Sequence, residues 1–223
     1  MTFTEPTTVE PLIRDLLAGG PSAYTAVGPG FARKDGKIKG LGWHHFPPAN
    51  VPRLTHEVLV EPWLREALIH LNPEIAAIPD RADEVIYKLR AIVLSVRSDG
   101  LIKANEEMTA WLRGDRSMPF GPNNEHVTVR LLDLENPENN QYVVTTQFTV
   151  RSGPAERRAD LVLLVNGFPL VLIEAKTPVR KAVSWLDGAL QVPPPSGKLS
   201  PVLLTTRGLK EMTSAALQRG CQS

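Results

Sequence analysis

Apolar residues recur at helical spacing near the start of the chain, where Val9, Leu12, Ile13, Leu16 and Leu17 line one side of a segment from Thr8 to Ala18. Gly19-Gly20 stops that helix, and Thr7 or Thr8 is placed to cap it. From Pro21 to Arg53, glycine, proline and short polar runs interrupt every period, which predicts a loop-rich insertion with one short strand near Tyr24 to Val27. Helical spacing returns over Glu61 to Leu71, which opens on Pro62 and ends before Pro73. It is clearest over Pro79 to Val96, where Val85, Leu89, Ile92, Val93 and Val96 share a face and Asp80 and Asp83 suit the helix dipole. A further helix is predicted over Lys103 to Leu112, stopping at Gly114.

Beyond that point the period changes. His126 to Asp133 largely alternates polar and apolar residues, and Gln141 to Val150 is rich in the β-branched and aromatic residues that favour strands. Asp160 to Val165 and Leu170 to Lys176 read as two more strands, joined through Asn166, Gly167 and Phe168 as a three-residue loop. Val179 to Gln191 reads as a helix, and the tail offers one strand, Val202 to Thr205, and one helix, Leu209 to Gln218. The predicted architecture is a central mixed, mostly antiparallel sheet flanked by helices, an α/β or α+β domain over residues 1–191 with a helical region at about 61–113 and an atypical tail over 192–223.

At 223 residues, 42% hydrophobic and 22% charged, the chain has the make-up of an ordinary globular domain. No apolar run is long enough to span a membrane, the N-terminus lacks the layout of a signal peptide, and Cys221 is alone, so a cytoplasmic protein is expected. A net charge of +1 gives no global basic field for nucleic acid. Local basic groups, Arg33 to Lys39 and Arg151 to Arg158, fit solvated surface better than DNA contacts. His44, His45, His56 and His70 lack metal-ligand spacing, and Trp43, Trp63, Trp111 and Trp185 read as packing residues.

The chemistry lies in the last two strands of the sheet. Alternation places Glu174 and Lys176 on one face of a segment that is otherwise apolar, and burying charges there is costly without water, a metal or a partner. With a three-residue loop, Asp160 falls directly opposite Glu174, with Cβ atoms about 4.5–5.5 Å apart. Two carboxylates that close repel unless a cation lies between them, and hard oxygen ligands suit Mg²⁺. Lys176 is then placed to hold a phosphate or orient an attacking water. By spacing alone, ordinary ion pairs at strand ends account for the same three residues better, and the hairpin context brings the two readings level.

The run from Arg158 through Asp160, Asn166-Gly167 and Pro169-Leu170 to Glu174 and Lys176 resembles the PD-(D/E)xK nuclease motif of type I restriction enzyme R subunits. Further similarity lies in Val9 to Leu17, Asn136 to Asn140 and Gln147-Phe148, so that the resemblance extends from about residue 5 to Gln191. It implies a restriction-endonuclease-like fold, with Asp160 and Glu174 as Mg²⁺ ligands and Lys176 as the catalytic lysine. Glu10 matches a helix glutamate that approaches the metal, while an ordinary solvated carboxylate remains the alternative at that position. Gln191 matches the glutamine of a Gln-x-x-x-Tyr element and, with Arg158, is a candidate DNA contact. Here the place of that tyrosine is taken by Pro195.

The resemblance also implies partners: double-stranded DNA, and the modification and specificity subunits of a restriction complex whose intact form uses ATP. The sequence contains no Gly-x₄-Gly-Lys-Ser/Thr phosphate loop, so no ATP site is expected in this chain, which reads as cut short before a translocase. An Mg²⁺-dependent DNA endonuclease module is the leading expectation. A catalytically inactive DNA-binding or subunit-docking remnant and a stand-alone repair-type nuclease are the alternatives.

Overall fold

Proline at one end and glycine at the other set most helix limits. In the computed structural model, the described residues are 9–21, 37–38, 40–152 and 154–175. Helix α1 (Glu10–Ala18) carries Pro11 in its first turn, where a helix needs no N–H, and stops at Gly19 (φ 77°), whose N–H returns to the Asp15 carbonyl at 2.9 Å. The expected caps Thr7 and Thr8 lie outside the described residues. Helix α2 (Glu61–Leu71) has the predicted limits. Pro73 ends it but also opens a short helix that the sequence reading did not contain, α3 (Pro73–Ala77). Helix α4 (Arg81–Asp99) starts and ends later than expected, and α5 (Leu101–Leu112) follows directly after Gly100. Of the apolar face predicted for α4, Val85 and Leu89 are buried, whereas Ile92, Val93 and Val96 are half-buried. No helix among the described residues is long and apolar enough to cross a membrane.

Strands β1 (Gly20–Pro21) and β2 (Lys37–Ile38) pair antiparallel, and β3 (His44–His45) follows. β4 (Ser117–Met118) pairs antiparallel with β5 (Val127–Thr128). Three longer strands, β6 (Tyr142–Ser152), β7 (Ala155–Val165) and β8 (Phe168–Ile173), join β3 in a four-stranded sheet of order β3-β6-β7-β8, with β3 parallel to β6. The result is the mixed sheet with helices that the sequence implies. The predicted strand Tyr24 to Val27, the helix Val179 to Gln191, the two elements of the tail and the boundary at residue 192 lie outside the described residues.

The long strand expected over His126 to Asp133 is a correction: only Val127–Thr128 pairs with another strand. Val129 and Leu131 are buried as the alternation requires, but their backbone groups are satisfied differently. The Val129 N–H donates to the Arg116 carbonyl at 3.1 Å. Asn72 brackets Arg130, its Oδ1 accepting the Arg130 N–H at 2.7 Å and its Nδ2 donating to the Arg130 carbonyl at 2.9 Å. Asn166 Nδ2 donates to the Leu131 carbonyl at 3.0 Å. Side-chain amides thus do the work of a neighbouring strand, and hydrophobic alternation alone does not distinguish the two.

The loop between β7 and β8 is also corrected. It has two residues, Asn166 (φ 50°) and Gly167 (φ 83°), both left-handed as a type I′ hairpin turn requires. Phe168 and Pro169 therefore belong to the strand, and β8 ends at Ile173, before Glu174.

The chain divides into two compact units. Among the described residues, the first comprises 9–21, 37–38, 40–51, 142–152, 154–164 and 172–175, and its buried apolar residues include Val143, Val144, Phe148 and Leu161. Within it Trp43 meets Tyr142 edge-on, with ring centroids 5.2 Å apart. The second comprises 52–141 and 165–171 and buries Trp63, Leu64, Leu68, Leu89, Met108, Trp111 and Phe168. Its hairpin turn is tied down on several sides. Asn166 Oδ1 accepts the Gln141 N–H at 2.8 Å, Nδ2 also donates to Asn140 Oδ1 at 2.8 Å, and the Asn166 N–H donates to the Gln141 carbonyl at 3.0 Å. The Gly167 carbonyl accepts the Val60 N–H at 2.9 Å.

That packing leaves no room for a side chain at Gly167, where a Cβ would lie 2.5 Å from the Val60 carbonyl oxygen and 3.0 Å from the Leu64 nitrogen. Gly100 has a similar φ of 86° but open space around it. Gly100→Ala therefore meets no clash and costs only the strain of a side chain at positive φ, about 1–3 kcal/mol. Gly167→Ala adds a clash with backbone and is expected to cost on the order of 3 kcal/mol or more. Urea midpoints of the two variants compare them directly, and equal losses would show that the turn yields to the added methyl group.

Candidate functional site

The side chains singled out by the sequence lie in the first unit, on α1, β6, β7 and the end of β8. Along β7, exposure ends abruptly: residues 155–158 are exposed, Ala159 and Asp160 are half-buried, and Leu161 onward is buried. Asp160 thus stands where the strand enters the core. β8 gives up strand geometry at Ile173, and two residues later the Ala175 N–H donates to Asp160 Oδ2 at 2.8 Å. The carboxylate takes the place of a strand neighbour and fixes the segment that carries Glu174. Counting back from a two-residue turn sets Asp160 across from Ile173, one position from the expected register. The hydrogen bond to Ala175 keeps the segment with Glu174 beside Asp160 despite that shift. Glu174 itself is exposed and Ala175 is buried.

Glu10 is not the solvated helix carboxylate that the sequence left open. It is 4% exposed, and its Oε2 accepts a hydrogen bond from Gln147 Nε2 at 2.8 Å. Burial raises its pKa above the ordinary glutamate value; the Gln147 hydrogen bond opposes this, the negative charge of Asp160 adds to it, Arg158 opposes it and Glu174 adds to it. The electrostatic neighbours of Glu10 are therefore the two carboxylates, and one of the arginines, of the motif segment.

Gln147 has no chemical role in the sequence reading. It lies inside β6 with φ 51°, a left-handed residue in the manner of a β-bulge, a feature common beside functional sites. Only its place in the Gln147-Phe148 pair marked it, and strand alternation carries no sign of the bulge. Lys176 and Gln191 lie outside the described residues, and Arg158 is exposed on β7.

The donor chemistry suits a hard divalent cation. Carboxylate oxygens of like charge lie in one electrostatic neighbourhood, and a positive ion would relieve their repulsion. Among the described residues, no three His, Cys, Asp or Glu side chains form a metal-binding group. Mg²⁺ needs only one or two carboxylates, completed by water and phosphate oxygens, and Asp160 and Glu174 are the side chains of the motif segment that could supply them.

The family model described as the type I restriction enzyme R protein N terminus matches residues 35–192. The chain belongs to that family. Its relatives include the type I restriction enzyme HindI endonuclease subunit of Haemophilus influenzae, 30% identical over 165 residues that cover 68% of this chain and 15% of the relative. Another is the putative type I restriction enzyme MjaIXP endonuclease subunit of Methanocaldococcus jannaschii, 24% identical over 153 residues, 64% of this chain and 14% of the relative. This R-protein N-terminal chain therefore spans about 15% of the length of the curated relatives it matches. No solved structure matches it. The matched region contains Gln147, Asp160, Glu174, Lys176 and Gln191, whereas Glu10 precedes it.

The burial of Glu10 has a measurable consequence for stability. Its folded-state pKa is raised, so the folded state holds the proton more tightly than the unfolded one. Stability linked to Glu10 is full below the unfolded glutamate pKa of about 4.3 and is lost as pH rises through the folded value. Glu10→Gln keeps an acceptor for Gln147 and removes the charge. In EDTA, the variant should match wild type in urea midpoint near pH 4 and exceed it near pH 7. A variant less stable at neutral pH would mean that the carboxylate charge is well compensated.

Proposed function

We propose that this chain is a DNA endonuclease module of a type I restriction-modification system, hydrolysing phosphodiester bonds with Mg²⁺ at a PD-(D/E)xK site. The observation that supports it most is the hydrogen bond from the Ala175 N–H to Asp160 Oδ2 at 2.8 Å, which ties the segment carrying Glu174 to Asp160 within the stretch that carries the motif. Membership of the R-protein family and relatives named as endonuclease subunits support the reaction class.

Asp160 and Glu174 would hold the ion. Once bound, such an ion neutralises charge on the attacked phosphate and lowers the pKa of a water molecule. The protein's own part is placement. Asp160 commits one oxygen to the Ala175 N–H, which holds Glu174 in position and leaves its other oxygen for a ligand. Lys176, two residues after Glu174, would bind a phosphate oxygen or orient the attacking water. Arg158 and Gln191 are the proposed DNA contacts. The partners in this reading are double-stranded DNA and the modification and specificity subunits, with ATP used by the intact complex rather than by this chain.

Supercoiled plasmid supplies the test. The purified chain should nick it slowly with Mg²⁺ and not with EDTA, and Asp160→Ala and Lys176→Ala should each reduce nicking on the order of 100-fold or more. Equal nicking by wild type and Asp160→Ala would contradict the proposal. DNA binding without any Mg²⁺-dependent cleavage would favour the inactive, docking form of the family instead.

A further inference from the structure

The end of β6 and the start of β7 leave the core together. Residues 151 and 152 of β6 and 155–158 of β7 are all exposed, whereas Val150 and Leu161 are buried. Arg151 and Glu156 join the two strands at this level, with Arg151 Nη2 2.6 Å from Glu156 Oε2. Among the described residues no third strand flanks them there, because β3 pairs with Val143 and Val144 and β8 ends at Ile173, across from Asp160. What projects is a two-stranded ribbon without a core of its own. Such a ribbon is at best marginally stable by itself, so packing within the protein does not account for its running on past Asp160.

Its charge points to a partner. The ion pair of Arg151 with Glu156 cancels, which leaves the two positive charges of Arg157 and Arg158 on a chain whose net charge is only +1. Successive residues of a strand face opposite sides, so Arg158 shares the face of Asp160 and Arg157 has the other. Counted from Ala155, where β7 begins, Arg157 and Arg158 lie about 7 and 10 Å along the strand and Asp160 about 17 Å. The DNA major groove admits a two-stranded ribbon and is about 8.5 Å deep. A ribbon inserted end-on therefore brings both arginines to the mouth of the groove, where the phosphates are, and leaves Asp160 outside it.

We propose that the β6–β7 ribbon enters the major groove of duplex DNA, with Arg157 and Arg158 each facing the phosphates of one wall. The inference rests on the reading of double-stranded DNA as the partner given above, and deepens it by naming the groove and adding Arg157. Guanidinium groups on both faces of one ribbon match phosphates on both sides of one groove.

The test is fluorescence anisotropy of a labelled duplex oligonucleotide with the 223-residue chain, in EDTA so that no cutting intervenes, over a series of salt concentrations. Each phosphate contact contributes about one unit to the slope of log affinity against log salt. Arg157→Ala and Arg158→Ala should each reduce the slope by about one and the double variant by about two. Arg157→Lys, Arg158→Lys and, on the exposed side of α4, Lys88→Ala should keep the wild-type slope. Methyl green, which occupies the major groove, should displace wild type, and distamycin, which occupies the minor groove, should not.

A wild-type slope in the double alanine variant, an equal reduction in Lys88→Ala, or displacement by distamycin and not by methyl green would each overturn the role of the ribbon while leaving DNA as the partner. If wild type binds no duplex, the DNA reading falls and takes the inference with it.

Discussion

The side-chain amide of Asn166 holds the turn on which the geometry of the site depends. It is 1% exposed, donates to the Leu131 carbonyl and to Asn140 Oδ1, and accepts from the Gln141 N–H. These bonds keep Asn166 left-handed, and with Gly167 beside it the hairpin closes in two residues. Because side chains alternate along a strand, one residue more or fewer in that loop would turn every side chain of β8 to the other face. Beyond the end of β8, the Ala175 N–H donates to Asp160 Oδ2 at 2.8 Å.

Against that well-satisfied frame, two features run counter to stability. Glu10 is a buried carboxylate on a nine-residue helix, and Gln147 holds a left-handed conformation within a strand. Each is unfavourable by itself, and they are hydrogen-bonded to one another. Local rules that fail together at one place, while helix caps, turn residues and core packing agree elsewhere, are what a site retained for function looks like.

Much of this was legible in the sequence. The limits of α2, the stop at Gly19, the burial of Trp63 and Trp111, and the mixed sheet with helices follow from apolar spacing and from proline and glycine. The pairing of Asp160 with the Glu174 segment was also within reach, but its register was off by one, because Asn166-Gly167 followed by Phe168-Pro169 is compatible with a loop of two residues or three. His126 to Asp133 misled for a different reason. Alternation records burial, and burial there is real, but amides of Asn72 and Asn166 supply the hydrogen bonds that a strand would have supplied. The left-handed turn of the backbone at Gln147 was invisible, since a bulge has no signature in period-two patterning, and the burial of Glu10 depends on a partner 137 residues away.

If Asp160 on β7 and Glu174 just after β8 hold one divalent ion, as we propose, the position of that ion can be read directly from the polypeptide. Fe²⁺ in place of Mg²⁺, with ascorbate and peroxide, generates hydroxyl radicals that cut the polypeptide close to the bound metal, and mass spectrometry locates the cuts. The expected result is cuts grouped around residues 160 and 174, suppressed by excess Mg²⁺ and absent in Asp160→Ala. Cuts scattered along the chain, or grouped elsewhere and indifferent to Mg²⁺, would contradict it.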